Sequence, residues 1–541
     1  MLAPLALVVG LAGATPARAD RGTDNIAAYA RARAADGDGK VEQAAAAFAA
    51  ALAAAPDNVT IAKRAYREAL EAGDDALIDG AVATLDRAGE TPPDAVLLVY
   101  ARAVRARDRV ATQAALAKIE AGPLAFLSGL LHAWDACDTG GDPFAALDQI
   151  RINPVAARYI VENRVLLLIA KGRVDEALAA LQAIPATGQA AIDLRINAAS
   201  LLAATGQKDQ AREFLTGDDP TIVALRAMLD KGKGLDKSKG ATSSAAFGVS
   251  RLFAHLDTDL LEGVPSPLTI ALARAAIRLD PANDRARLLL AQSLAERRRV
   301  DHALATLDTV KPASAFYRAS LQQRVAILSN AGRSADALTA GTLLSAQKDA
   351  TATDAAQLGD LLVDNDRFDD AVKAFQLAMA RAGEAPSWSL YLQIGAAYDQ
   401  AGRWPEARAA LEKAVTLAPD SALALNYFGY ARMEHGEDVA ASVTMLEKAR
   451  LLDPKAPSIT DSLAWAYFRS GDAGRALPLL EIAVSKEPAN GTISEHLGDA
   501  YWSLGRRFEA RNAWRAAAIV ADPEEAARLA RKIADGAPTA P

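Results

Sequence analysis

The chain has 541 residues and a formal net charge of -7, and hydrophobic residues make up 51% of it against 5% for aromatics. That length exceeds what one hydrophobic core can organise, so the chain is either several domains or a solenoid that grows by addition. The modest negative charge excludes strong attraction to a phosphate backbone, so no nucleic acid partner is expected, and a single cysteine, Cys137, excludes an intrachain disulfide framework and a cysteine-based zinc site.

Residues 1–19 read as a signal peptide. An apolar core from Leu5 to Ala14 precedes Ala17-Arg18-Ala19, the small-x-small pattern of a signal peptidase site, and cleavage is expected before Asp20. No Lys or Arg precedes that core. The apolar run is too short to be a transmembrane anchor and nothing later reaches spanning length, so no integral membrane segment is expected in the mature chain. Cys137 lies too far along to be a lipid-modified N-terminal residue and reads as a small buried apolar side chain. An exported, periplasmic protein is the expectation.

Much of the apolar content after residue 20 is alanine, the best helix former, and no run of alternating β-branched residues appears, so helix is expected throughout. Residues 20–229 form a degenerate helical arm, with weak units such as AAAAFAAALAAAPDN (Ala44, Phe48, Ala51, Pro56) and KGRVDEALAALQAIP (Ala177, Leu181, Pro185). Residues 230–246, including DKGKGLDKSKGATSS, are rich in Gly, Lys and Ser without a helical apolar pattern and read as a flexible linker. An array then runs over 247–523. It includes the weaker copy RRRVDHALATLDTVKP (Ala303, Leu307, Pro312) and becomes regular from residue 352, where Gly395, Gly429, Ala464 and Gly498 lie 34, 35 and 34 residues apart. A fixed period in this range marks stacked supersecondary units. Residues 524–541 are a capping helix and tail: Asp522 stands at the N-cap, Pro523 at the first position, Glu524 and Glu525 in the first turn, and Gly536 follows Lys532.

These units resemble the tetratricopeptide repeat (TPR) family, whose 34-residue signature runs W-x2-L-G-x2-Y, then A-x3-F, then A and P. With Gly395 as position 8, Tyr398, Ala407, Leu411, Ala414 and Pro419 fall at the remaining signature positions. Tyr467, Ala476, Leu480, Ala483 and Pro488 repeat the pattern, as do Tyr501, Ala510, Trp514 and Ala517. Glycine at position 8 costs about 1 kcal/mol of helix propensity but permits close crossing of the two helices of a unit. Proline at position 32 stops the second helix. The resemblance implies an all-α, right-handed superhelix, an α-solenoid of roughly 13–14 helix pairs closed by the capping helix.

The sequence assembles no catalytic motif. The five histidines, His132, His255, His302, His435 and His496, stand at no metal-ligand spacing. Gly232-Lys233-Gly234 lacks the third glycine of a phosphate loop, and neither a G-x-S-x-G elbow nor an HExxH helix occurs. No catalytic, cofactor or metal site is assigned, and the chain is not expected to be an enzyme.

Recognition remains. In the family, positions 2, 5, 9, 12 and 13 of successive first helices line a concave face. The resemblance therefore implies a partner-binding groove of Leu392, Ala396 and Asp399, of Asn426, Tyr430 and Met433, of Asp461, Trp465, Phe468 and Arg469, and of Glu495, Asp499 and Trp502. Large aromatics suit a docking surface, and five of the six tryptophans follow residue 385. Trp514, at position 24, is expected in the core instead. The Lys and Asn that TPR cochaperones use to clamp an acidic tail are absent at positions 5 and 9, so a protein or peptide ligand with apolar anchors and basic flanks is expected.

NYFGYARMEHGED, ITDSLAWAYFRSGD and ISEHLGDAYWSLGRRFEARNAW further resemble exported TPR proteins of Gram-negative bacteria, some of which are adaptors that present cell-wall hydrolases to a periplasmic carboxyl-terminal processing protease. The function this implies is a non-enzymatic scaffold or adaptor in the cell envelope. A scaffold for polysaccharide or pilus export, and a cytoplasmic assembly factor with an uncleaved N-terminus, stay open at this level.

Overall fold

The computed structural model describes residues 21–150, 154–184, 188–231, 244–261, 266–383 and 387–536. Among them the chain is an all-α solenoid of thirty α-helices and one short 3-10 turn, with no strand. The signal peptide and its cleavage site, the tail beyond Gly536 and most of the linker lie outside the described residues. The linker's edges are helical: Asp230 ends the helix Pro220–Asp230, and residues 244–246 open the helix Ser244–Leu261. The apolar pattern of that helix begins at Ala245, earlier than the Gly, Lys and Ser content suggests; Ala245, Phe247, Val249 and Phe253 are buried.

The chain forms two compact units divided between Ala331 and Gly332. In the first unit the helices after the linker fold back onto those before it, where the sequence placed a division. The helix Ser244–Leu261 packs on Ser128–Thr139, and Pro267–Leu279 packs on Pro93–Ala106. Gly248 makes the first contact possible, since a Cβ there would lie 2.1 Å from Trp134 Cε2. Trp134 is fully buried and donates its indole N–H to Asn163 Oδ1 at 2.7 Å. Arg105 donates across the second contact to the Leu279 carbonyl at 3.2 Å, and arginines tie Pro267–Leu279 to two earlier helices, Arg274 donating to the Glu71 carbonyl at 3.1 Å in Val59–Ala72 and Arg278 pairing at 2.6 Å with Asp75 of Asp75–Arg87. Such pairings, more than 170 residues apart, leave no periodic trace in a sequence.

The second unit is regular. Helix Ser334–Ser345 precedes five pairs, Ala352–Val363 with Phe368–Ala382, Trp388–Gln400 with Trp404–Leu417, Ala422–Glu434 with Val439–Leu452, Pro457–Arg469 with Ala473–Lys486, and Gly491–Ser503 with Arg507–Val520; helix Pro523–Asp535 closes the series. Four of the five first helices start on side-chain caps, with Ser421 Oγ accepting from Ala424 N and Asn490 Oδ1 from Ile493 N, and Pro457–Arg469 starts on its proline instead. Three of the five second helices stop at a cap residue that is followed by proline. Ala418, Asp453 and Glu487 precede Pro419, Pro454 and Pro488, and each has left the helical region (ψ 71°, 83° and 69°) because a proline ring disfavours it for the residue before.

Within each pair, position 8 of the first helix meets position 24 of the second. A Cβ on Gly395 would lie 2.6 Å from Leu411 Cγ, on Gly359 2.3 Å from Phe375 Cε1, and on Gly498 2.3 Å from Trp514 Cδ1, whereas on Gly429 the nearest atom, Leu446 Cγ, is 3.1 Å away. Trp514 is fully buried, as its position requires. The sizes of these gaps make a differential prediction. Gly498→Ala is expected to lower the unfolding midpoint, because a forced shift of a buried indole costs about 1–3 kcal/mol and exceeds the helix-propensity gain of about 1 kcal/mol. Gly429→Ala, against a leucine that can move a few tenths of an ångström, is expected to be much milder. Thermal melts of the two variants side by side check the order; equal losses would mean that the glycines are not set by the position-24 side chain.

Candidate functional site

The face assembled from the sequence divides into buried, satisfied and exposed residues. Leu392 and Met433 are buried in apolar clusters with Leu411 and Phe428, and with Leu446 and Leu463, respectively. Asp461 is buried as well, its carboxylate taken by His496 Nδ1 at 2.9 and 3.0 Å. These three were expected to line the groove and do not. Positions 5 and 12 lie where one first helix packs beside the next, and the neighbour covers them.

Asn426 is half-buried. Asp399 pairs with His435 Nε2 at 2.7 Å and accepts from Tyr427 Oη at 3.4 Å. Tyr430 is half-buried, and burial, with Glu434 and Asp461 nearby, pushes its phenol up to about 12. Trp465 stacks between Phe468 and His496, with centroids 5.0 and 3.9 Å away, and donates to Glu434 Oε1 at 3.0 Å. Arg469 is exposed and reaches the same oxygen at 3.3 Å. The stack Phe468, Trp465, His496 thus joins two neighbouring units, and its ring faces are largely used in doing so.

The last repeat is covered by the chain itself. Lys532, on the closing helix, lies 2.6 Å from Glu495 Oε1 and 2.7 Å from Asp499 Oδ2, and Arg528 Nη2 reaches Glu495 Oε2 at 2.6 Å. Asp499 also accepts from the Trp514 indole at 3.0 Å. Trp502 packs on Trp514 at 5.4 Å and against Gly536, where a Cβ would lie 2.0 Å from Cζ2. The carboxylates expected to meet basic flanks of a ligand therefore already hold the chain's own cations. Burial pushes Asp499 up despite Lys532. Burial also acts to raise Glu495, but the bonds from Arg528 and Lys532 outweigh it and hold the group at about 2, below the ordinary 4.5. A carboxylate lowered on folding stabilises above its unfolded pKa and loses that contribution as pH falls through the folded one. Docking of helix Pro523–Asp535 is thus expected to weaken between about pH 4.5 and 2. Hydrogen exchange checks this: Glu495→Gln should lower protection of that helix near neutral pH and make little difference near pH 2.

The register of the last units, carried back through Ala303 at position 20, leads to a more open feature in the first compact unit. A cleft of about 1060 Å³ lies between helices Asp284–Glu296 and Tyr317–Asn330. Arg285, Leu288, Gln292, Ala295 and Glu296 line it from the first helix, at positions 2, 5, 9, 12 and 13. Ala319, Gln322, Ala326 and Asn330 line it from the second, at positions 2, 5, 9 and 13. Ala326, at position 9 of the second helix, leaves the space that Tyr430 and Trp465 fill at the same position further along. The sequence reading missed this site because it started from the aromatics; the alanine at position 20 was the available signal.

Beneath the cleft, Arg285 Nε bonds Asp193 Oδ2 at 3.1 Å, and His255 Nδ1 bonds Glu162 Oε2 at 2.6 Å. Asp257, with no exposed surface, is held well above the ordinary carboxylate range by burial. Among the described residues no group of three or more His, Cys, Asp or Glu is placed to hold a metal ion, and no helix is long and apolar enough to cross a membrane.

Comparison with known proteins places these units. Residues 270–317, 357–422, 392–457 and 462–541 match the tetratricopeptide repeat family. A TPR repeat-containing protein of Pseudomonas aeruginosa is 32% identical over 81 residues, 15% of this chain and 14% of the length of that relative. Among solved structures, MamA is 24% identical over 32% of this chain and 97% of its own, with a TM-score of 0.26. The Cut9–Hcn1 hetero-tetramer aligns with 94% of this chain and 96% of its own at 14% identity and a TM-score of 0.37. The family match and the position-8 crossings agree on the units from residue 357 onward, and the chain carries tetratricopeptide repeats over the matched residues.

Proposed function

We propose that the chain is a non-enzymatic protein-interaction scaffold that holds a segment of a partner polypeptide in the cleft between Asp284–Glu296 and Tyr317–Asn330. The observation that carries this is the lining: nine of the ten residues at positions 2, 5, 9, 12 and 13 of the two first helices border one open volume of about 1060 Å³. Carboxamides there suit main-chain hydrogen bonding, and Leu288, Leu289 and Ile327 form an apolar floor. Ala326 is exposed at its centre. Ala326→Trp is expected to fill the space without unfolding the chain and to weaken binding of a partner first captured on the unmodified protein at least about tenfold, as loss of a docking pocket does. Undiminished binding by a folded Ala326→Trp would exclude the cleft.

We propose further that this scaffold acts in the bacterial envelope, as an adaptor presenting cell-wall hydrolases to a periplasmic carboxyl-terminal processing protease. Support comes from the apolar run Leu5 to Ala14 followed by Ala17-Arg18-Ala19, and from the resemblance of the last units to exported adaptors. N-terminal sequencing of protein recovered from envelope fractions is expected to begin at Asp20; Met1 retained on cytoplasmic material would overturn the location.

A further inference from the structure

The turn that closes the cleft is strained at one residue. In the units that follow, Gly332, Gly402, Gly436, Gly471 and Gly505 occupy the left-handed turn between the two helices of a pair, with φ from 69° to 86°. The corresponding residue here is Arg298, at φ 62°. Glycine takes this conformation freely, whereas a side chain brings Cβ against the following carbonyl. Arg107 and Asp366 share the strain, but neither lines the cleft. A side chain kept on a left-handed turn residue at the edge of a cleft points to a use for that side chain.

The guanidinium has such a use. Arg298 is exposed and lines the cleft. Of the other charged residues there, Arg285 is held by Asp193, and Glu296 accepts from the Gln292 carboxamide at 3.1 Å. Among the described residues the Arg298 guanidinium makes no hydrogen bond or ion pair. Among the described lining residues it is the cation without a partner, beside the carboxamides and above an apolar floor.

We infer that Arg298 is the anion anchor of the cleft, and that the polypeptide segment bound there carries an aspartate or glutamate whose carboxylate pairs with this guanidinium. The inference rests on the reading of the cleft as the partner site. It gives that site a charge preference opposite to the one expected of the C-terminal face, and draws it from a turn residue instead of the first-helix lysine of an acidic-tail clamp. A guanidinium suits the role because its planar fork bonds both carboxylate oxygens.

Selection of a phage-displayed random peptide library on the full chain tests it, with Ala326→Trp identifying the peptides that use the cleft. Those peptides are expected to share an Asp or Glu at a fixed place. One of them, synthesised, is expected to bind Arg298→Gly at least about tenfold more weakly, a loss ordinary for a charged anchor, and to keep most of its affinity for Arg298→Lys. Arg298→Gly is also expected to melt higher than the unmodified chain, because glycine relieves the turn, so its weaker binding cannot be put down to unfolding. Cleft-dependent peptides without an acidic residue, or equal binding to Arg298→Gly, would overturn the anchor and leave the scaffold reading standing. If no selected peptide responds to Ala326→Trp, the cleft reading fails and the anchor with it.

Discussion

The regular part of this protein depends on how closely two helices of one unit can cross. At Gly395 and Gly498 the partner side chain, Leu411 or Trp514, occupies the volume a methyl group would need. Glycine in mid-helix is unfavourable by about 1 kcal/mol relative to alanine, and the buried large side chain opposite offsets that loss. The crossing sets the distance between the helices, and the proline after three of the second helices sets the length over which they pair. Everything presented on the surface inherits its spacing from those two devices.

A second constraint follows from stacking. When first helices lie side by side, residues at positions 5 and 12 fall between them. Leu392, Met433 and Asp461 are accordingly internal, and the Asp461–His496 pair with the Trp465 stack ties one unit to the next. Aromatic content in such an array is evidence of coupling between neighbours as much as of ligand binding. The cleft in the first compact unit exists for the opposite reason, since Ala319 and Ala326 stand where bulky side chains would otherwise close the space.

Charge is distributed along the same lines. The closing helix brings Arg528 and Lys532 onto Glu495 and Asp499, so the last repeat neutralises its own carboxylates. In the first unit arginines cap helix ends and join distant helices, as Arg274 and Arg278 do. At the cleft Arg285 is likewise held by Asp193. The exposed guanidinium of Arg298 departs from that habit, and so does its backbone.

The sequence by itself determined the all-α architecture, the 34-residue spacing, the role of glycine at position 8 and proline at position 32, and the closing helix with its Asp522 cap, because each depends on local propensity or on a contact within one unit. Trp514 was legible for the same reason. The tertiary structure alone decided which face residues are available: Leu392 and Met433 are covered by neighbouring units, Glu495 and Asp499 by the closing helix, and neither fact is written within a single repeat. It also decided that helices on the two sides of the linker pack together, through Gly248 on Trp134 and Arg274 on the end of a helix some two hundred residues earlier. Contacts between residues far apart in the chain obey no period, so a reading built on periodicity finds the repeats and misses what the repeats pack against.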